Sequence, residues 1–172
     1  MKRFSENVPS ERYPDWRVTL VLDNLRSAHN VGNILRIAEA LQLEVIACGY
    51  TPCPPHPVVA KTAMDCDKLV PCRSFGDTLE ALATLRREGC QMILALEHNQ
   101  SSSEVWSLEQ VTMPLALVLG NEALGISPQI LAQCDRTVDL PMLGSKASIN
   151  VGNAAAAALY AIYAKYKEQL KI

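Results

Sequence analysis

The chain has 172 residues, of which 49% are hydrophobic and 20% charged, and its formal net charge is −2. That length suits one domain with a sizeable core, and the near-neutral balance excludes nucleic-acid binding through global charge, so any such contact must come from a local basic patch. No apolar run reaches the roughly 18 residues of a membrane span, and Lys2 and Arg3 are not followed by the apolar segment of a signal peptide. The chain is therefore expected in the cytoplasm.

Residues 1–16 read as an N-terminal extension ahead of a single domain over 17–172. Apolar runs at residues 18–22, 44–49, 91–96, 115–119 and 137–140 predict strands. They are continuous rather than alternating, the pattern of a parallel sheet covered on both faces. Helical periodicity predicts helices over 31–41 and 79–87, the second capped by Asp77 or Thr78 and stopped at Gly89. Residues 51–57 form a proline-rich loop, and residues 99–103 a polar loop directly after a buried strand, where open α/β sheets bind ligands. Ser127-Pro128 pairs an N-cap with proline at the first helical position and opens a short helix to about residue 133. A long alanine-rich helix over 149–170 closes the chain. Strands alternating with helices predict an α/β fold with a mainly parallel sheet and helices on both faces.

The six cysteines, Cys48, Cys53, Cys66, Cys72, Cys90 and Cys134, are dispersed. Cys53 and His56 are spaced C-x-x-H, with Cys66 and Cys72 downstream, a set zinc can use. Pro54, Pro55 and Pro57 stiffen the first pair, and the second lacks C-x-x-C spacing, so no metal is expected and the thiols read as free.

Three segments carry chemistry. After the first strand comes Asp23-Asn24-Leu25-Arg26-Ser27-Ala28-His29-Asn30-Val31-Gly32-Asn33-Ile34-Leu35-Arg36, in which Arg36 interrupts an apolar helix beside Asn30 and Gly32. A guanidinium there either snorkels to the surface or meets an anion. The second segment is Leu119-Gly120-Asn121-Glu122-Ala123-Leu124-Gly125, the third Leu140-Pro141-Met142-Leu143-Gly144-Ser145-Lys146-Ala147-Ser148-Ile149-Asn150-Val151. Both are strand-to-helix turns that expose backbone N–H groups to a polar ligand, and two in succession suggest one small-molecule pocket. Neither G-x-G-x-x-G after the first strand nor G-x-x-x-x-G-K-[ST] is present, which opposes a dinucleotide-binding oxidoreductase and a P-loop. Glu122 has a competing structural role as an acceptor for loop N–H groups, and Ser148 and Asn150 as caps of the last helix.

Taken together in this order, the three segments resemble the SpoU/TrmH family of SPOUT-class RNA 2′-O-ribose methyltransferases, over about residues 17–166. The resemblance implies an α/β fold with a C-terminal deep trefoil knot, a homodimer, and S-adenosylmethionine as methyl donor. It implies that Leu96, Leu119, Gly120, Asn121, Gly125, Leu140, Met142, Gly144, Ser148 and Ile149 hold the donor. It places Asn30, Arg36, Glu122, Ser148 and Asn150 at the catalytic centre, with the arginine activating the ribose hydroxyl with an RNA phosphate, sometimes across the dimer interface. A pKa above roughly 12 makes Arg36 a poor literal base and a better phosphate clamp. The substrate expected is RNA, tRNA before rRNA; the alternative is a non-catalytic RNA-binding or assembly protein that keeps the fold. Arg17, Arg26, Arg36, Lys61 and Lys146 are candidate phosphate contacts, whereas Lys2, Arg3 and Arg12 read more readily as solvated charge. Tyr160, Tyr163 and Tyr166 offer rings on which RNA bases can stack, but such a stripe is more often core or a subunit interface, and the subunit interface is the favoured reading. Two departures stand out: Gly152-Asn153 replaces the family's Ser-Val, and Met64-Asp65-Cys66 replaces Leu-Gly-Ala after Lys61-Thr62-Ala63.

Overall fold

The computed structural model describes residue 13 and residues 15–146 and 148–170. Among them seven strands form one sheet: β1 (Val18–Asp23), β2 (Glu44–Cys48), β3 (Cys72–Phe75), β4 (Met92–Leu96), β5 (Ser103–Glu104), β6 (Leu115–Leu119) and β7 (Arg136–Asp139). Their order is β3-β2-β1-β6-β4-β7-β5, and every pairing is parallel. The helices are α1 (Ala28–Ala40), α2 (Pro57–Ala63), α3 (Thr78–Arg87), α4 (Pro128–Leu131) and α5 (Val151–Gln169).

The continuous apolar runs are explained by two cores, one on each face of the sheet. Leu20, Leu22, Leu94, Leu115, Leu117 and Leu119 point to the face covered by α1, α2 and α5. Their neighbours Val21, Ile93, Ala95, Ala116 and Val118 point to the face covered by α3 and α4. Alternation of side chains along each strand thus buries all of β6 and most of β1 and β4.

Two strands and one helix escape the sequence pattern. β3 is an edge strand whose residues alternate between exposed and half-buried, and β5 has two residues, so neither shows an apolar run. The expected proline-rich loop runs into α2, with Pro57 at the first helical position and His56 Nδ1 accepting the Val58 N–H (3.2 Å). Met64 and Asp65, which stand in place of the family's Leu-Gly, then turn the chain at φ of 53° and 72°. Asp65 therefore adopts the left-handed conformation that glycine takes at no steric cost.

The last helix also corrects an expectation. Tyr166 is buried, and together with Tyr163 it packs against Tyr13 and Trp16 at ring distances of 5.3–6.3 Å, edge-on in every pair but the tilted Trp16–Tyr166. Those two rings belong to the core, and of the three tyrosines Tyr160 alone faces outward. Three-residue spacing steps side chains by about 60° around the axis, so the three positions span about 120°, with Tyr166 at the buried end of that arc and Tyr160 at the exposed end.

Candidate functional site

The strands run outward from β1 to β3, then resume on the other side with β4, and β6 fills the gap beside β1. Ligands of open α/β sheets bind outside the strand C-termini at such a reversal. Here a cavity of about 610 Å³ opens there. Its walls are the ends of β4, β6 and β7, the turn after β6, residues 148–150 and the first turn of α5.

One carboxylate organises the mouth. Glu122 accepts hydrogen bonds from the Arg26 N–H (2.9 Å), the Ser27 N–H (3.2 Å) and Asn30 Nδ2 (3.0 Å). Asn30 Oδ1 in turn accepts from Asn150 Nδ2 (2.9 Å), and Asn150 Oδ1 caps α5 through the N–H groups of Gly152 (2.9 Å) and Asn153 (3.4 Å). The segment at Asn30 is thereby joined in one polar chain to Glu122, 92 residues on, and to Asn150, 120 residues on. Partial burial raises the pKa of Glu122, but the Arg26 and Ser27 N–H groups and the Asn30 amide outweigh it and hold the carboxyl below its ordinary value. The structural and functional readings of Glu122 and Asn150 coincide, because the bonds that cap and close the loops also orient the amides at the mouth.

The turn after β6 is closed by contacts that only glycine permits. A Cβ on Gly120 would lie 2.6 Å from the Ile126 side chain and 2.7 Å from the Gly125 carbonyl carbon. Gly125 has φ of +67°, and a Cβ there would lie 2.5 Å from Glu97 Oε2. That oxygen accepts the Ile126 N–H (2.9 Å), so Glu97 pins the turn to the end of β4. Asn121 is buried, and its side chain bonds entirely to protein: Oδ1 accepts from the Ala123 and Leu124 N–H groups, while Nδ2 donates to the Asn24 carbonyl and to the Tyr50 hydroxyl, both at 2.7 Å. It shapes the wall of the cavity rather than presenting a free amide to it.

Of the residues expected at the site, Leu96, Leu119, Gly120, Asn121, Gly125, Leu140, Met142, Ser148, Ile149, Asn30, Glu122 and Asn150 line this cavity. Gly144 and Arg36 do not line it. Gly144 has open space around its Cα. Arg36 is exposed on α1, six residues beyond Asn30 and therefore about 9 Å further along the helix axis. Glu97, His98 and Asp139 also line the cavity and were not legible as site residues. Asp139 Oδ2 lies 2.7 Å from both His98 Nδ1 and Ser102 Oγ, a contact that joins the polar loop after β4 to the end of β7.

Arg26 and Lys146 are exposed on loops beside the cavity, and Lys61 is exposed on α2. Arg17 precedes β1 and so stands at the opposite edge of the sheet. Lys2, Arg3 and Arg12 lie outside the described residues. Among the described residues, no three His, Cys, Asp or Glu side chains are grouped to hold a metal. Burial pushes the thiols of Cys48 and Cys134 up to about 11, so they stay protonated at neutral pH. No helix among the described residues is long and apolar enough to cross a membrane.

The profile of the SpoU rRNA Methylase family matches residues 17–160. The chain is 31% identical over 159 residues to the tRNA (guanosine(18)-2′-O)-methyltransferase of Thermus thermophilus, covering 92% of this chain and 79% of that protein. It is 30% identical over 145 residues to the 23S rRNA (uridine(2479)-2′-O)-methyltransferase of Streptomyces viridochromogenes, covering 82% and 50%. A Bacillus subtilis protein named for the TrmH family of tRNA/rRNA methyltransferases is 30% identical over 152 residues, and the chain spans 58% of its length. Among solved structures, the SpoU methyltransferase AviRb of Streptomyces viridochromogenes superposes with a TM-score of 0.80 at 26% identity, covering 94% of this chain and 65% of that one. AviRb in complex with AdoMet gives 0.78 at 26% identity, covering 90% and 61%.

Proposed function

Because the chain belongs to the SpoU rRNA Methylase family, we propose that it transfers a methyl group from S-adenosylmethionine to a ribose 2′-hydroxyl of RNA, with tRNA the favoured substrate over rRNA. The observation that carries this reading is the polar chain from Glu122 through Asn30 to Asn150 at the mouth of a glycine-turned cavity. Its volume, its apolar walls of Leu119, Ile126, Leu140 and Met142, and its few polar groups suit a nucleoside-sized ligand with polar ends.

S-adenosylmethionine, when bound, supplies an electrophilic methyl group on a sulfonium. The turn at Gly120–Ile126 and the segment from Leu140 to Ile149 hold the donor. Asn30 and Asn150, fixed by Glu122 and by the α5 cap, orient the acceptor hydroxyl so that attack is in line. Arg36 clamps the neighbouring phosphate, and its charge favours the ionised hydroxyl. Arg36 lies outside the cavity of its own chain, so the reading includes a homodimer in which one copy completes the site of the other. In support, Asn33, one turn before Arg36, stands against Gly152 at the start of α5, and α5 presents Asn153, Tyr160 and Ala164 outward. A trefoil knot formed by the segment after β7 belongs to the same reading, supported by the likeness to AviRb. The preference for tRNA rests on the Thermus relative, whose length the chain covers most fully of the three relatives above.

Titration calorimetry with S-adenosylmethionine and S-adenosylhomocysteine tests the proposal. Binding near one site per chain is expected, followed by methyl incorporation into tRNA at a 2′-oxygen. Absence of binding with RNA present overturns it in favour of a non-catalytic RNA-binding protein.

A further inference from the structure

Tyr50 is absorbed by neither core nor cavity. It follows β2 on a turn fixed from both sides. Gly49 donates its N–H to the Phe75 carbonyl (3.0 Å), and Thr51 is buried with its hydroxyl accepting the Leu25 N–H (3.0 Å). Tyr50 N–H itself donates to Asn24 Oδ1 (3.4 Å), and its hydroxyl accepts from Asn121 Nδ2 (2.7 Å). The backbone and the tip of the side chain are therefore both held, yet the residue is 59% exposed and its ring packs on no other aromatic ring among the described residues. Exposing a large ring costs apolar burial. Pinning it outward by its hydroxyl produces a rigid flat surface.

Its position gives that surface a use. β2, β1 and β6 are neighbours in the sheet, so the loops that follow them lie side by side at one edge. Asn121 holds Tyr50 through its side chain and lines the cavity at the same time. On the loop between, the Arg26 N–H is bonded to Glu122 at the cavity mouth, while its guanidinium is exposed and has no partner among the described residues. Cavity mouth, cation and aromatic ring thus follow one another along the edge.

We propose that Tyr50 is a stacking platform for a nucleobase of single-stranded RNA next to the nucleotide presented to the cavity, with Arg26 holding the intervening phosphate. The inference rests on the reading of the substrate as RNA. An aromatic face takes any base, so this contact tolerates sequence and fixes the path of the strand. The arginine contributes a salt-dependent grip.

The test uses the full chain and a short single-stranded RNA carrying 2-aminopurine, whose fluorescence is quenched on stacking, with donor affinity measured in parallel by calorimetry. Tyr50→Ala is expected to weaken RNA binding about tenfold and to abolish the quenching while donor affinity is unchanged. Tyr50→Phe, which keeps the ring but loses the bond to Asn121 that pins it, is expected to lose clearly less binding and quenching than Tyr50→Ala. Arg26→Ala should reduce the slope of log affinity against log salt by about one. Unchanged RNA binding and quenching in Tyr50→Ala overturns the proposal. Equal loss in Tyr50→Phe also overturns it, because the hydroxyl's hold on the loop would then be what matters. An unaltered chain that binds donor but no RNA brings down both the platform and the RNA substrate. One that binds RNA but no donor brings down the methyl-transfer reading and leaves the platform standing.

Discussion

Gly125 and Glu122 show how single residues carry the site. Gly125 combines a left-handed backbone with a Glu97 carboxylate where a Cβ would sit. Gly125→Ala is therefore expected to lower stability by about 1–2 kcal/mol for the backbone alone and to lose donor affinity as the turn opens; thermal melts with and without S-adenosylmethionine read both. Glu122 titrates below its ordinary value of 4.5 in the folded chain because three donors hold its ionised form. A depressed carboxyl stabilises the fold above its unfolded pKa, and that contribution is lost as the pH falls through the folded value. Melts from neutral to acid pH should thus show a loss below about pH 4.5 that is smaller in Glu122→Gln. Equal losses in both chains would place the acid sensitivity elsewhere.

At the scale of elements, helix starts double as site geometry. Ser27 caps α1 by accepting the Asn30 N–H (3.2 Å), which places Asn30 in the first turn, facing Glu122. Asn150 caps α5 with its oxygen and reaches Asn30 with its nitrogen. The two duties separate by substitution. Asn150→Ala removes both and should cost about 1 kcal/mol of stability together with activity. Asn150→Asp keeps the acceptor for the cap and loses the amide donor, so stability should hold while methyl transfer falls. A fully active Asp variant would show that the amide link to Asn30 is dispensable.

For the whole molecule, the question is where Arg36 acts. It is exposed on α1 and away from the cavity of its own chain. If two copies complete each other's sites, Arg36→Ala and Gly125→Ala, each inactive alone, should regain part of the activity when mixed and allowed to exchange subunits. The Arg36→Ala cavity would then receive the intact arginine of the other copy. Donor affinity of Arg36→Ala alone should match the unaltered chain in calorimetry. No recovery in mixtures that demonstrably exchange would place the arginine in cis.

The sequence by itself determined what local physics controls. Apolar runs buried on both faces specify the central strands, Ser-Pro and Asp-Thr pairs specify helix starts, and the two glycine-bearing turns mark the cavity. Edge strands β3 and β5 were illegible because a strand with one neighbour and a wet face needs no apolar run. Glu97, His98, Asp139 and Tyr50 were illegible for a different reason. Their roles exist only as contacts: Glu97 under Gly125, His98 on Asp139 across 41 residues, Tyr50 on Asn121 across 71. No local spacing encodes such pairs. They follow from the strand order β2-β1-β6-β4-β7, which brings the loops after those strands to one edge. The same order explains Arg36, whose residue type suggested an anion while its helical phase, set by packing α1 on the sheet, turned it away from the cavity of its own chain.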